Sequence, residues 1–124
     1  MLPSVARLLL VGFLVTASGS CSPTPDGEFS AAPRSFAVEA LSRGAGVPEE
    51  AYDAQDRALA VMERDEDRGL VVAIRETGIG LEGETRLCVE YRSAQAADAA
   101  FREVSDIVRG LDLVNLVRPC SARD

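Results

Sequence analysis

The spacing of apolar positions changes repeatedly along this chain, and each change marks an element. Over residues 94–109, Ala97, Ala100, Phe101, Val104, Ile107 and Val108 recur every three or four positions, with Asp98, Arg102, Glu103, Asp106 and Arg109 between them. Residues so spaced stack on one side of an α-helix, so this stretch predicts an amphipathic helix. Ser93 supplies an N-cap oxygen and Gly110 a stop. A second helix is predicted over 48–66. Pro48 stands in its first turn, Glu49 and Glu50 lie near the positive end of its dipole, and Gly69 ends it. Its apolar stripe is Ala51, Ala54 or Ala58, Val61 and Met62, with Tyr52 and Leu59.

Two stretches alternate instead. In 69–76, Leu70, Val72 and Ile74 fall on one face and Ala73 and Arg75 on the other. In 84–92, Leu87, Val89 and Tyr91 oppose Arg86, Cys88, Glu90 and Arg92. Strands with one apolar and one polar face build an antiparallel sheet covered on one side only, and the short linker TGIGLEG makes these two a hairpin. Residues 113–117 read as a last strand stopped by Pro119. Residues 35–41 set Phe36, Val38 and Ala40 against Ser35, Ala37 and Glu39, too briefly for periodicity to separate a strand from a helical turn. If they form a strand, the order βαββαβ predicts an α+β fold. This is the ferredoxin-like split-βαβ sandwich, a four-stranded antiparallel sheet with two helices on one face. If they are helical, the domain is a three-stranded α+β layer.

The N-terminal pattern is of another kind. Arg7 is followed by an apolar run over 8–15, then by the small residues Ala17, Ser18, Gly19 and Ser20, then by Cys21. A basic start, a short apolar core and small residues are the anatomy of an export signal. The run is too short for a membrane span, which needs ~20 residues. The segment ending Gly19-Ser20-Cys21 resembles the signal of bacterial lipoproteins. Ser18 departs from the aliphatic residue that the class prefers three positions before the cysteine. The resemblance covers about the first thirty residues. It implies cleavage before Cys21, a membrane anchor through a lipidated Cys21, and a flexible tether. The expected organisation is a signal at 1–20, a tether at 21–34 and a small α+β domain at 35–124. The alternative is ordinary cleavage after Gly19 or Ser20, which releases a soluble periplasmic or secreted protein.

Composition narrows the chemistry. The 124 residues carry 13 basic side chains, all of them Arg, against 20 acidic ones, for a net charge of −7, with no His and no Trp. Without His or Lys the chain cannot assemble a Ser-His-Asp or Cys-His site, a Schiff base or a P-loop lysine. Catalysis would fall to carboxylates, thiols or tyrosines, such as Glu84, Glu90 or Cys88. The acidic balance argues against nucleic acid as a partner. No cofactor or metal signature is present: the charge-dense stretch 63–68 lacks EF-hand spacing and reads as a solvated helix end. Gly78-Ile79-Gly80-Leu81-Glu82-Gly83 spells G-x-G-x-x-G but opens a strand rather than a helix, so it reads as a flexible hairpin loop, with apolar Ile79 and Leu81 at its tip as a candidate contact site. Arg75, Arg86, Glu90 and Arg92 share the polar sheet face and form a second candidate, suited to a protein partner or a small anionic ligand.

The chain has three cysteines. Lipidation of Cys21 would leave Cys88 and Cys120 as a candidate disulfide. The predicted fold opposes that bridge. Its last strand runs parallel to the Cys88 strand with another strand between them, whereas a disulfide needs Cα atoms within ~7 Å, so the tail after Pro119 would have to fold back sharply. The expected function is that of an exported, lipid-anchored envelope protein with a non-catalytic binding domain. The alternatives are a soluble exported inhibitor or ligand-binding module, and a small carboxylate or thiol enzyme.

Overall fold

The computed structural model describes residues 32–120. In chain order these form β1 (Ser35–Ala40), α1 (Glu49–Asp67), β2 (Val71–Gly78), β3 (Thr85–Tyr91), α2 (Ala94–Val108) and β4 (Val114–Val117). The strands make one sheet in the order β2-β3-β1-β4, and every neighbouring pair is antiparallel. Both helices lie against one face of the sheet, as the ferredoxin-like sandwich requires. The signal-like segment, Cys21, most of the tether and residues 121–124 lie outside the described residues.

Residues 35–40 are a strand because both of their edges are used. β1 pairs with β3 from Ser35 opposite Glu90 to Ala40 opposite Thr85, and with β4 from Ala37 opposite Val117 to Ala40 opposite Val114. A helical turn there would have left the backbone groups of both neighbours unpaired. From this central strand Phe36 and Val38 point into the core. There they meet Met62 of α1, Leu87, Val89 and Tyr91 of β3, and Val104 of α2. Phe36 stacks on Tyr91 at 6.1 Å between ring centroids and meets Phe101 edge-on at 5.5 Å. The helix limits follow the local chemistry. The Ser93 hydroxyl accepts the Ala96 N–H at 3.1 Å and starts α2. At the end of α1, Gly69 takes φ +73°, a conformation that costs other residues ~1–2 kcal/mol. This lets the Gly69 and Leu70 amides return to the carbonyls of Glu66 and Asp65.

One face assignment is corrected. Strict alternation places Leu70, Val72 and Ile74 together on the core face. In the fold Val71 is buried and Ile74 packs on the core, while Leu70 and Val72 are exposed. The cause is a β-bulge. Val71 lies opposite Tyr91 and Ala73 opposite Glu90, so Val72 is an extra residue, and the alternation before it shifts by one.

The two ends of the sandwich differ in content. The chain enters beside β1 at residues 32–34, next to the α1–β2 and β3–α2 connections and the turn at 118–120. The opposite end carries the longer connections, 41–48, 79–84 and 109–113.

Candidate functional site

The sheet register assembles the face away from the helices row by row. Arg75, Cys88, Ala37 and Val117 lie side by side across the sheet. Beside them run Thr77, Arg86, Glu39 and Asn115. Glu39 stands on the central strand and is nearly buried. Its Oε1 accepts from Arg86 Nε at 2.7 Å and Nη2 at 2.6 Å, and its Oε2 accepts from Asn115 Nδ2 at 3.0 Å. Arg86 is therefore committed to Glu39 and is not free to grip a ligand. Of the four residues that the polar alternation groups together, Arg75 and Glu90 lie on the face at different levels. Exposed Arg92 follows the end of β3, its amide bonded to Leu70. The face carries them, but they do not converge.

Cys88 and Cys120 are bridged, with Cα atoms 5.9 Å apart. The candidate bridge and the expected fold, which compete on strand order alone, coexist. Val117 is level with Cys88, with Ala37 of β1 between them. The chain then turns at Arg118-Pro119 and doubles back across β1 to reach β3. The Cys120 amide donates to Ser35 Oγ at 3.0 Å, and Arg118 donates to Asp98 Oδ1 at 3.0 Å and to the Pro33 carbonyl at 3.4 Å. Arg118 also lies 4.7 Å from the Phe101 ring centroid. Ala37, on the face expected to be open, is 1% exposed.

The hairpin tip is the other candidate. Composition reads 78–83 as a flexible loop, but the loop is tied down. The Tyr52 hydroxyl of α1 donates to the Gly83 carbonyl at 2.5 Å, and Ser42 Oγ donates to Glu82 Oε2 at 2.5 Å. The Ser42 amide reaches Glu84 Oε1 at 3.4 Å, and the Ile79 amide donates to the Glu84 carbonyl at 2.9 Å. The Glu84 carboxylate lies against Gly80, where a side chain would collide with it. Tyr52 is thus a loop clamp as well as a member of the helix stripe. Ile79 is partly exposed. Leu81, at the apex, is fully exposed, with a relative accessibility of 104%.

No family model, curated protein or solved structure matches the chain. Among the described residues no helix is long and apolar enough to cross a membrane.

One polar cluster escapes the sequence reading. Asp65, expected on a solvated helix end, is 5% exposed. It accepts the Tyr91 hydroxyl at 2.8 Å on Oδ2 and Arg64 Nη2 at 3.0 Å on Oδ1, while Arg64 spans to Glu103 of α2 through two 2.8 Å bonds. Burial, and then the bond to Asp65, push the Tyr91 phenol well above its ordinary range. The hydrogen bonds from Arg64 hold Glu103 below its own. Gln55, also buried, donates to the Val38 and Thr85 carbonyls and accepts from Thr85 Oγ1. Position 65 continues the stripe 58, 61, 62 by helical period, a signal that distinguishes it from Glu63, Glu66 and Asp67. Among the described residues no buried side-chain N or O lacks a partner. These clusters lock helices to sheet and offer no open valence to a ligand.

Proposed function

We propose that this is an exported, lipid-anchored cell-envelope protein, held on a membrane through Cys21, whose α+β domain binds another envelope component without catalysis. The observation that carries the reading is the Cys88–Cys120 bridge. Disulfides persist in oxidising, extracytoplasmic compartments. The bridge also uses two of the three cysteines and leaves Cys21, which closes a signal-like segment, as the odd thiol. Acyl chains on that residue account for it. Two or more chains, at ~0.8 kcal/mol per buried CH₂, give stable anchoring. From Cys21 to residue 32 the chain can span at most about 40 Å. The bridge further supports a binding role over a thiol enzyme, since Cys88 has no free thiol to act as nucleophile.

The test is the intact mass of protein purified from its native membrane, with and without reductant. A chain beginning at Cys21 with acyl mass, gaining about two protons on reduction, is the expected result. Loss of the acyl mass and of membrane fractionation in Cys21→Ser completes it. An unmodified chain in the soluble fraction would overturn the anchor and favour a soluble exported module.

A further inference from the structure

Leu81 is the most exposed large apolar side chain among the described residues, and it stands on a loop fixed from three directions. Tyr52 holds Gly83, Ser42 holds Glu82, and Glu84 packs under Gly80. A single exposed leucine on a mobile loop needs no explanation. A leucine projected by a loop already tied to α1 and to residue 42 is different, because a partner that receives it has less of the loop left to freeze. The surroundings define that partner. At this end of the sandwich Glu49, Glu50, Glu82 and Asp112 are exposed, against Arg43 and Arg109, the second of them paired with Asp106. Acidic surface repels a second copy of the same end and an anionic bilayer alike, and it attracts a basic one. The topology also sets the tip apart from the point where the tether joins. The chain enters at the end of β1 next to Arg34 and Arg92, and the tip lies at the opposite end of the sheet.

We propose that the β2–β3 hairpin tip is a docking plug, in which Leu81 enters an apolar pocket rimmed by Arg or Lys on another envelope protein. This rests on the anchored-binding reading above and assigns its contact surface. With the tether attached at the opposite end, the tip is free to reach away from the membrane that holds Cys21.

The experiment uses the full chain in its native cells, with a photo-crosslinking amino acid at Leu81 and, as control, at Asp67 near the entry end. The expected result is one protein captured from position 81 and not from 67, joined through a peptide that carries basic residues beside aliphatic ones. With the crosslinker moved to Ile79, Leu81→Ser should lower the yield about tenfold or more, the loss expected for one buried leucine. Glu49→Arg combined with Glu50→Arg should lower it as well. Leu81→Ser touches no core residue, so its thermal unfolding should match the wild type and keep the comparison interpretable. Capture of lipid, capture of a second copy, equal capture from position 67, or an acidic contact peptide would each overturn the plug. The mass of Cys21 from the same cells separates the two readings. Acylated protein without a position-81 crosslink refutes the plug alone, and an unacylated, soluble protein that still crosslinks from 81 refutes the anchor alone.

Discussion

Removing the Cys88–Cys120 bridge should cost this domain more than any single core truncation of comparable size. The bridge closes a loop with a sequence separation of 32. Tying such a loop in the unfolded chain removes ~3.5–4 kcal/mol of conformational entropy on the chain-entropy account, between the ~3 of a 15-residue loop and the ~4.7 of a 100-residue loop. A domain of about ninety residues has a total stability of roughly 4–13 kcal/mol, so the bridge is a large fraction of it. The native state adds little in opposition. The turn that carries Cys120 is also held by Arg118 on Asp98 and Pro33 and by the Cys120 amide on Ser35, so the folded chain end stays near β3 with or without the bond. The perturbation is Cys88→Ala with Cys120→Ala in residues 32–120, and the assay is urea unfolding followed by far-ultraviolet circular dichroism. The midpoint should fall by an amount equivalent to about 3–4 kcal/mol, and the slope should rise, because the open unfolded chain exposes more surface. A loss below about 1 kcal/mol, with the wild type shown by mass to be bridged, would refute the reasoning. It would mean that the unfolded chain already keeps these two segments close without the bond.

The remaining predictions concern the polar locks and the loop. Asp65→Ala leaves the Tyr91 hydroxyl buried and unpaired and should cost about 3 kcal/mol. Tyr91→Phe, which leaves Asp65 with Arg64, should cost about 1 kcal/mol, and the double variant should fall about 1–2 kcal/mol short of the sum; additivity in chemical unfolding would refute the lock. The same phenol predicts a pH effect. With its folded pKa raised, Tyr91 contributes stability that is complete below about pH 10, where the unfolded tyrosine titrates. Above that pH the unfolded chain ionises first, and stability falls by up to ~1.4 kcal/mol per pH unit, a slope that Tyr91→Phe should remove. Arg86→Ala strands the Glu39 carboxylate on the central strand with only Asn115 and should cost about 2–3 kcal/mol, of which Glu39→Gln in the same chain recovers part in a thermal melt. Gly83 takes φ +88°, and a Cβ there would stand 2.7 Å from Tyr52 Oη, so Gly83→Ala should cost about 1–2 kcal/mol and raise amide exchange across 79–84.

What the sequence conceals here lies where a local rule meets a tertiary one. The two helices are legible because Ser93, Gly69 and the apolar stripes all act within one or two turns. The sheet order follows from handedness and from which segments alternate. The inserted Val72 is invisible to a period-two pattern, because β2 chooses its register by what it must place opposite Tyr91, and that residue is twenty positions away. The bridge is legible as a cysteine pair, but whether the tail folds back to close it is decided by tertiary contacts. Strand order alone separates Cys88 from Val117 by the width of β1, and only the fold-back beyond Val117 brings Cys120 across. At the candidate site, alternation finds Arg86 but not its tie to Glu39, since the two meet only when β1 inserts beside β3. The tip residues Ile79 and Leu81 are found from composition, whereas the stiffness of their loop depends on Tyr52 and Ser42, which are distant in sequence.

The position of β1 links the anchor, the bridge and the tip. If Cys21 is held by a membrane, any pull reaches the domain at residue 32 and runs along β1, which like β3 is hydrogen-bonded to strands on both sides over most of its length. Tension along a paired strand loads its ladder bonds together in shear rather than opening them one at a time. The segment just before β1 is also clasped, by Arg118 on the Pro33 carbonyl and by Ser35 on the Cys120 amide, and the disulfide fastens that clasp to β3. The tether is therefore joined to the core through one of the two central strands, while the hairpin tip, carried by β2 at the sheet edge, lies at the far end of the neighbouring pair. A contact made at Leu81 would be transmitted to the anchor through β3, its pairing with β1 and the bridge. Loss of the bridge should then weaken retention under load more than it weakens the contact at equilibrium. Single-molecule extension through residue 32 and position 81 tests this: the unfolding force should drop on reduction, and an unchanged force would show that the β1 ladders alone carry the load.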